Sequence, residues 1–446
     1  MSSPLFGGVR TPLFTDLYEL TMAAAYHANG ITGRATFEAF VRALPERRNF
    51  LVACGLEELL DALHDWRFCA DDIEYLRSLG QFRDDFLAHL ADLRFTGDIR
   101  AVAEGEVVFE GEPIVEISAP IIEAQLIETL VLNLIGSRTM QASKAVRVAL
   151  ACQGRAFVDF SARRDHGVDA ALGAARASAI AGAAATSLVE AGRRYGLHLS
   201  GTMAHAYVMA FDDERDAFRS FARTFPGNAV LLLDTWDTVA GAHHVVEVAR
   251  ELRAEGITID GVRLDSGDLA VLSQKVREIL DAGGCSDVRI FASGDLDEYR
   301  IDAFVRGGAR IDGFGVGTRM GTSEDAPSLG VVYKLVEDEH GPKLKLAEGK
   351  ATLPGRKQLH RRDGFDVISL AGEDVDGRAL LHPVIESGRR MHESEPIETS
   401  AQRCGAAVAA LPARLRRFGQ AEPPYEVRVS AGLHALGDEL TAAHRG

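Results

Sequence analysis

The chain lacks several features that would each point to a different class of protein. No window of transmembrane length is free of charge, and the alanine-rich run 170–191 is interrupted by Arg176 and Glu190, which leaves no membrane-spanning helix to expect. Residues 1–14 lack a basic segment followed by a long apolar run, so no secretory signal peptide is read there. The five cysteines (Cys54, Cys69, Cys152, Cys285 and Cys404) form no C-x-x-C pair, which argues against a disulfide or zinc framework and fits free thiols in a reducing cytoplasm. Positive charge is also scarce. Forty-nine Lys and Arg face 65 Asp and Glu, a net charge of −16, so neither nucleic acid nor an anionic membrane is expected as a general partner. An anionic substrate would need a local cluster of arginines. No low-complexity segment or sequence repeat stands out.

What remains is ordinary for a globular enzyme: 446 residues, 46% hydrophobic and 26% charged, enough for two domains or one barrel with additions. The N-terminal part mixes elements. A helix is expected over 15–29 with Thr15 or Asp16 as its cap, a strand over 35–41, a helix over 55–63, and an antiparallel meander over 98–118 turning at Gly105 and Gly111. A long helix follows from Glu123 to about Leu150, with a break near Gly136.

From Ala156 onward the rhythm changes. Apolar runs at 156–160, 198–203, 229–234, 261–265, 288–293, 311–316 and 331–336 alternate with helical stretches such as 169–195, 239–254, 269–282 and 297–305. Continuous apolar strands separated by helices mean parallel β-structure, and about seven such units favour a TIM-like α/β barrel. A doubly wound open sheet remains the alternative. After Gly341 the pattern shifts to strands over 342–346, 366–370 and 426–429. The expected organisation is an α/β N-terminal domain (1–150), an irregular barrel (151–340), and a C-terminal segment (341–446) packing back on the N-terminal domain.

Barrels carry their chemistry at the C-terminal ends of strands. Here those ends read Asp159-Phe160-Ser161-Ala162-Arg163-Arg164-Asp165-His166, Gly201-Thr202-Met203-Ala204-His205, Asp234-Thr235-Trp236-Asp237, Arg263-Leu264-Asp265-Ser266-Gly267-Asp268, Ser293-Gly294-Asp295 and Gly315-Val316-Gly317-Thr318. Each fragment is weak alone, but six consecutive ends of small or charged residues suit a phosphorylated sugar. The turn Ser266-Gly267-Asp268 opens a helix, whose free N–H groups and dipole favour an anion. Gly294, Gly315 and Gly317 allow backbone to approach a phosphate. Asp234, Asp265 and Asp268 can take ribose hydroxyls or Mg²⁺, while Arg138, Lys144, Arg163 and Arg263 can neutralise a diphosphate and a carboxylate. Phe160 or Tyr18 can stack on a flat ring.

The plainer readings stand beside these. A lone histidine such as His205 is ordinarily a core or capping residue, and a helical tyrosine such as Tyr18 a core one. Asp237 is as good a helix cap as a ligand. Arg164 fits a surface ion pair, and Arg138 and Lys144 fit solvated faces of a long helix. His166 reads equally as a loop filler. His243 and His244 are adjacent in a helix, point in different directions and make no metal site. No set of side-chain metal ligands is discernible.

The motifs Thr15-Asp-Leu-Tyr-Glu-Leu-Thr-Met, Phe160-x-x-Arg163-Arg164, Gly201-Thr-x-x-His205, Leu233-Asp-Thr-Trp-Asp-Thr, Val262-Arg-Leu-Asp-Ser-Gly-Asp, Gly315-x-Gly-Thr and Pro327-Ser-Leu-Gly-Val-Val-Tyr-Lys-Leu-Val together resemble the nicotinate phosphoribosyltransferases, over Thr15 to at least Leu335. The resemblance implies an irregular α/β barrel beside an α/β N-terminal domain, in a homodimer whose site borrows residues across the interface. It implies transfer of phosphoribose from phosphoribosyl diphosphate to nicotinate with Mg²⁺, coupled to ATP hydrolysis through a phosphohistidine, in NAD salvage. Tyr18, from the partner subunit, and Phe160 would sandwich the pyridine. Arg263 and Thr202 would lie near the carboxylate, and Asp265 would hold the ribose. Arg163, Gly294, Gly317 and Thr318 would cradle phosphates, with Arg138, Asp234, Ser266, Gly267, Asp268 and Gly315 in the same subsite. His205 would be phosphorylated. Ala206 departs from the polar residue of many relatives, and the tail after Gly341 matches no motif.

Rivals remain. A relative could use nicotinamide or quinolinate, although Arg263 without an evident second carboxylate receptor favours a monocarboxylate. An open-sheet phosphoribosyltransferase would need an adjacent acidic pair that Leu231-Leu-Leu-Asp-Thr-Trp-Asp-Thr lacks. A non-catalytic barrel binding protein predicts eroded strand ends, and these are intact.

Overall fold

The computed structural model describes residues 11–347 and 352–445. The chain divides into two compact units, Met1–Ser143 with Ala326–Gly446, and Lys144–Asp325. No helix among the described residues is long and apolar enough to cross a membrane.

The first unit is built on a seven-stranded sheet. Its centre is antiparallel: Arg34–Val41 pairs with Pro113–Pro120 on one side and with Val331–Asp338 on the other. Asp98–Val102 pairs with Pro113–Pro120, and the tail strand Leu381–Glu386 with Asp98–Val102. A four-stranded sheet formed wholly by the tail includes Lys357–Arg361, Phe365–Leu370 and Glu426–Val429. The first unit's core joins Phe37, Ile117 and Tyr333 from the larger sheet to Leu59 and Leu87 from its helices.

The second unit holds six parallel strands: Ala156–Asp159, Ala185–Thr186, Val230–Leu232, Gly261–Leu264, Arg289–Ala292 and Gly313–Val316. Each neighbours the next in chain order, except that Thr186 is followed by a single parallel bridge to Leu199. The last strand then pairs with the first, Gly313–Val316 beside Ala156–Asp159. That closing pair distinguishes a barrel from a doubly wound sheet, whose first and last strands lie apart. Among the described residues the ring is open at one place, between Leu199 and Val230–Leu232, so the barrel is irregular. Inside, the Phe291 ring occupies space that a Cβ at Gly261 or Gly313 would enter, at 2.7 and 2.9 Å.

Several elements differ from expectation. The 331–336 run is no seventh parallel unit; it lies antiparallel to Arg34–Val41 in the first unit. Its apolar content suits either sheet, and periodicity does not carry pairing direction. The 198–203 run forms only the bridge at Leu199. The stretch 169–195 is two helices, Val168–Ile180 and Val189–Tyr195, around a short strand. The long helix divides at Ile127, not at Gly136, into Ile121–Leu126 and Glu128–Cys152. Gly136 serves packing instead, since a Cβ there would meet Val331 Cγ2 at 3.3 Å. In the tail, Gly341–Pro342 replaces the strand expected over 342–346, and the helices Ile397–Ala410 and Ala431–Arg445 were not anticipated.

Candidate active site

Each barrel strand stops where its apolar run ends, and the next residues turn into a helix start. Asp237, Asp268 and Asp297 cap the three following helices, accepting from the N–H groups of Ala240 (2.8 Å), Val271 (3.2 Å) and Arg300 (2.8 Å). Asp268 therefore holds the loop in shape through its Oδ1.

Arg263 leaves the Gly261–Leu264 strand towards the open edge of the ring. It donates to Thr202 Oγ1 and to the Met203 carbonyl, both at 2.9 Å. These bonds tie the irregular 200–204 segment to a regular strand across the gap. Its Nε is buried and has no hydrogen-bond partner among the described residues. Burial holds the Arg263 guanidinium below its usual range, Asp265 and Asp234 pull it up, and the nearby Arg163 pushes it down. Arg163 is exposed, with no hydrogen bond or ion pair of its own among the described residues. Two guanidiniums close enough to repel, one with an unsatisfied buried donor, suit an anion.

The carboxylates are arranged by their neighbours. Asp234 Oδ2 accepts from the Asp265 N–H (3.0 Å) and from Ser266 Oγ (2.5 Å), which fixes the turn after Arg263. Asp234 Oδ1 is buried without a partner among the described residues. Ser293 Oγ donates to Asp265 Oδ1 at 2.5 Å, leaving Asp265 Oδ2 towards His205, 4.0 Å from its Nε2. The other imidazole nitrogen, Nδ1, lies 3.2 Å from Thr235 Oγ1. His205 begins the short helix His205–Met209 and is over a third exposed.

Glycines make room for this set. A Cβ at Gly315 would overlap the Phe160 ring, so the glycine seats that aromatic beside the Gly313–Val316 strand. A Cβ at Gly317 would stand 3.2 Å from the Phe160 carbonyl, and Gly317 precedes the short helix that starts at Thr318. Gly294 takes φ +98° and lies so close to the Asp265 carbonyl that a Cβ would overlap it; Gly267 takes φ +80°. Arg300 holds the carbonyls of Gly294 (3.0 Å) and Asp295 (2.9 Å). Buried Asp159 accepts from Ser161 Oγ (2.6 Å) and Thr186 Oγ1 (2.8 Å), and Asp165 Oδ2 lies 2.8 Å from the same Ser161 hydroxyl. Burial raises Asp165 to about 6.

The second unit thus brings Phe160, Arg163, Thr202, His205, Asp234, Arg263, Asp265, Ser266, Gly267, Asp268, Gly294, Gly315, Gly317 and Thr318 to the ends of its strands. Tyr18 and Arg138 belong to the first unit. Tyr18 is half exposed on the helix Leu17–Ala28, and burial with a hydrogen bond to Glu128 raises its phenol. Arg138 does not lie on a solvated helix face. It is buried, with Nε 2.8 Å from Glu58. Lys144 is likewise buried, 2.6 Å from Glu298 and 2.9 Å from Asp325.

Thr235, Ser293 and Arg300 had no role assigned from sequence. The first two lay inside recognised strand ends, but nothing in a linear string says which hydroxyl reaches which carboxylate. Arg300 sits one turn into a helix and carried no signal. Among the described residues no group of three or more His, Cys, Asp or Glu is arranged to hold a metal ion.

Residues 13–136 match the model of the nicotinate phosphoribosyltransferase N-terminal domain family. The chain is 47% identical over 424 residues to a nicotinate phosphoribosyltransferase of Mycobacterium tuberculosis, covering 94% of this chain and 91% of the relative. It is 41% identical over 390 residues to the nicotinate phosphoribosyltransferase of Bacillus subtilis, covering 83% and 79%. The crystal structure of human nicotinic acid phosphoribosyltransferase is similar at a TM-score of 0.86 and 27% identity, over 96% of this chain and 99% of that one.

Proposed function

This chain belongs to the nicotinate phosphoribosyltransferase family, and we propose that it joins nicotinate to phosphoribosyl diphosphate, releasing diphosphate and nicotinate mononucleotide in NAD salvage. The observation that carries this reading is Arg263, anchored by Thr202 and Met203 yet retaining a buried donor without a partner. A guanidinium held in this way suits a substrate carboxylate.

In this mechanism Phe160 stacks on the pyridine, joined by Tyr18 of the partner subunit in a homodimer. Arg263 and Thr202 orient the carboxylate. Asp265, kept in place by Ser293, takes the ribose hydroxyls. Arg163, the N–H groups about Gly294, Gly315, Gly317 and Thr318, and the helix start at Ser266, Gly267 and Asp268 receive the phosphates. The C1–O bond to diphosphate breaks through an oxocarbenium-like state, and the ring nitrogen's lone pair forms the new C1–N bond. No general base is needed. Catalysis is then positioning and charge neutralisation. Mg²⁺ would supply further neutralisation of the diphosphate charge, and Asp234, whose buried Oδ1 lacks a partner among the described residues, is the side chain that would hold it. Arg138 is left to its ion pair with Glu58.

ATP coupling runs through phosphorylation of His205. Thr235 engages Nδ1, so Nε2 is the acceptor, facing Asp265. The setting is the cytoplasm.

The test is to incubate the pure protein with phosphoribosyl diphosphate, Mg²⁺ and nicotinate, nicotinamide or quinolinate, with and without ATP. Mononucleotide from nicotinate, with an ATP enhancement that His205→Ala abolishes, is expected. Product only from another pyridine overturns the substrate, and no product from any of them favours a binding protein.

A further inference from the structure

A cavity of about 620 Å³ lies within the first unit, between the tail's four-stranded sheet and the helix Ile397–Ala410. That is the size of a small-molecule site. One wall is apolar: Ala406, Ala407 and Ala410, with Leu411 and Pro412. The alanines recur at helical spacing on one face with Arg403, and only their methyl size leaves the space open. Opposite stand Arg361, Arg362 and Arg378, with Tyr425, whose ring is stacked on Phe109 at 3.8 Å.

The arginines divide by what they already hold. Arg361 is committed to Asp366 (2.7 Å), Glu106 (3.3 Å) and the Val107 carbonyl (2.7 Å). Arg403 is committed to Glu395 and the Glu104 carbonyl. These two are frame. Arg378 forks onto Glu106 at 2.6 and 3.1 Å, and the buried Glu106 is thereby neutralised by two guanidiniums. Arg362 differs. Its one ion pair among the described residues is a 3.7 Å approach to Asp376, itself 90% exposed. Asp363 also lines the cavity and Arg378 spends both terminal nitrogens on Glu106, so the cation left to a ligand is Arg362, which lies over the Phe365 ring at 5.3 Å.

We propose that this cavity binds a small organic phosphate carrying a flat ring, a nucleoside monophosphate in chemical class. The phosphate lies against Arg362, and the ring lies between Tyr425 and the alanine face. A guanidinium recognises phosphate oxygens by geometry, and an aromatic wall facing methyl groups takes a planar ring edge-on to solvent. No residue of the barrel's strand ends takes part, so the proposal stands independently of the pyridine chemistry.

The experiment is calorimetric titration of the full chain with AMP, adenosine and inorganic phosphate, on wild type, Arg362→Ala, Ala406→Trp and Arg263→Ala, with thermal melts as a folding control. AMP should bind wild type and Arg263→Ala alike. Arg362→Ala should weaken binding at least about tenfold, the loss expected of one charge-assisted hydrogen bond. Ala406→Trp, which keeps every charge and fills the space, should do the same with the melt unchanged. Adenosine and phosphate should each bind more weakly than AMP. Absence of AMP binding at millimolar concentration overturns the proposal. So does binding lost in Arg263→Ala and kept in the cavity variants, or phosphate binding as tightly as AMP. Nicotinate turnover measured on the same samples reports separately on the barrel site.

Discussion

Arg138 and Arg263 are both drawn into the protein, one in each unit, and they are treated oppositely. Arg138 is buried against Glu58 at 2.8 Å. The same habit recurs through the first unit: Glu116 takes Arg100 and Arg356, and Lys357 pairs with Glu38, all with at least one partner almost wholly buried. Arg263 has only neutral hydrogen-bond partners, Thr202 and a carbonyl, with Asp234 and Asp265 near but not ion-paired to it, and one of its donors is unsatisfied. A buried charge with a matched counter-charge holds structure; one supplied with neutral tethers is held ready for an anion. Counting arginines would not separate the two regions. What each guanidinium already holds does.

The largest expected effect tests the barrel side of that contrast. Arg263→Ala should lower kcat/KM for nicotinate by about 10²–10³-fold while the melting temperature moves much less than in Arg138→Ala, because no carboxylate loses a hydrogen-bonded ion pair. Arg263→Lys should recover little, since an ammonium cannot keep the tether to Thr202 and fork onto a carboxylate as well. A normal kcat/KM in Arg263→Ala would dissolve the contrast.

Arg138→Ala should show the reverse, a loss of about 3–5 kcal/mol of stability from leaving Glu58 buried and unpaired, seen as a lower denaturation midpoint. Replacing both partners, Arg138→Met with Glu58→Leu, should restore most of it. A raised KM for phosphoribosyl diphosphate in that stable double variant would move Arg138 into the substrate site.

Gly315→Ala sharpens the comparison within the barrel. The added methyl displaces the Phe160 ring, so KM for nicotinate should rise about tenfold with kcat nearly kept and folding cooperative. An unchanged KM would mean that Phe160 does not touch the pyridine.

The smallest effect concerns Glu19, in the Thr15-to-Met22 motif of the first unit. Burial raises its carboxyl to about 7, against the opposing hydrogen bonds from Thr129 and Thr15. The folded chain therefore holds this proton more tightly than the unfolded one. The stability it contributes is full below about pH 4.5 and is lost as pH rises through 7. Thermal melts of wild type and Glu19→Gln should diverge by a few degrees between acid and pH 8, the glutamine gaining relative to wild type as pH rises. Parallel curves would refute the shift.

Much of the candidate site was legible because its residues lie on short contiguous strings. Arg263 to Asp268 and Gly315 to Thr318 each put ligand-type groups beside glycines at a strand end, and a helix pattern follows each. Thr235 and Ser293 were visible as residues but not as partners. Their roles depend on hydroxyls reaching His205 and Asp265 from separate strands. Lys144 was misread as a solvated helix residue because its acidic partners stand over 150 positions away at Glu298 and Asp325.

The sequence by itself determined the alternation of apolar strand and helix, the polar strand ends, and the motifs that carry the family resemblance. These are properties of single segments, written in the order of neighbouring residues. Only the tertiary structure decided that 331–336 runs antiparallel beside Arg34–Val41, that Gly313–Val316 closes onto Ala156–Asp159, and that Arg138 is ion-paired while Arg263 keeps an unsatisfied donor. Each of these is a pairing between distant segments, and hydrophobic burial, which drives the collapse, is non-directional and does not choose partners. Register, hydrogen-bond geometry and matched charge make that choice, and they come into being only when the segments meet.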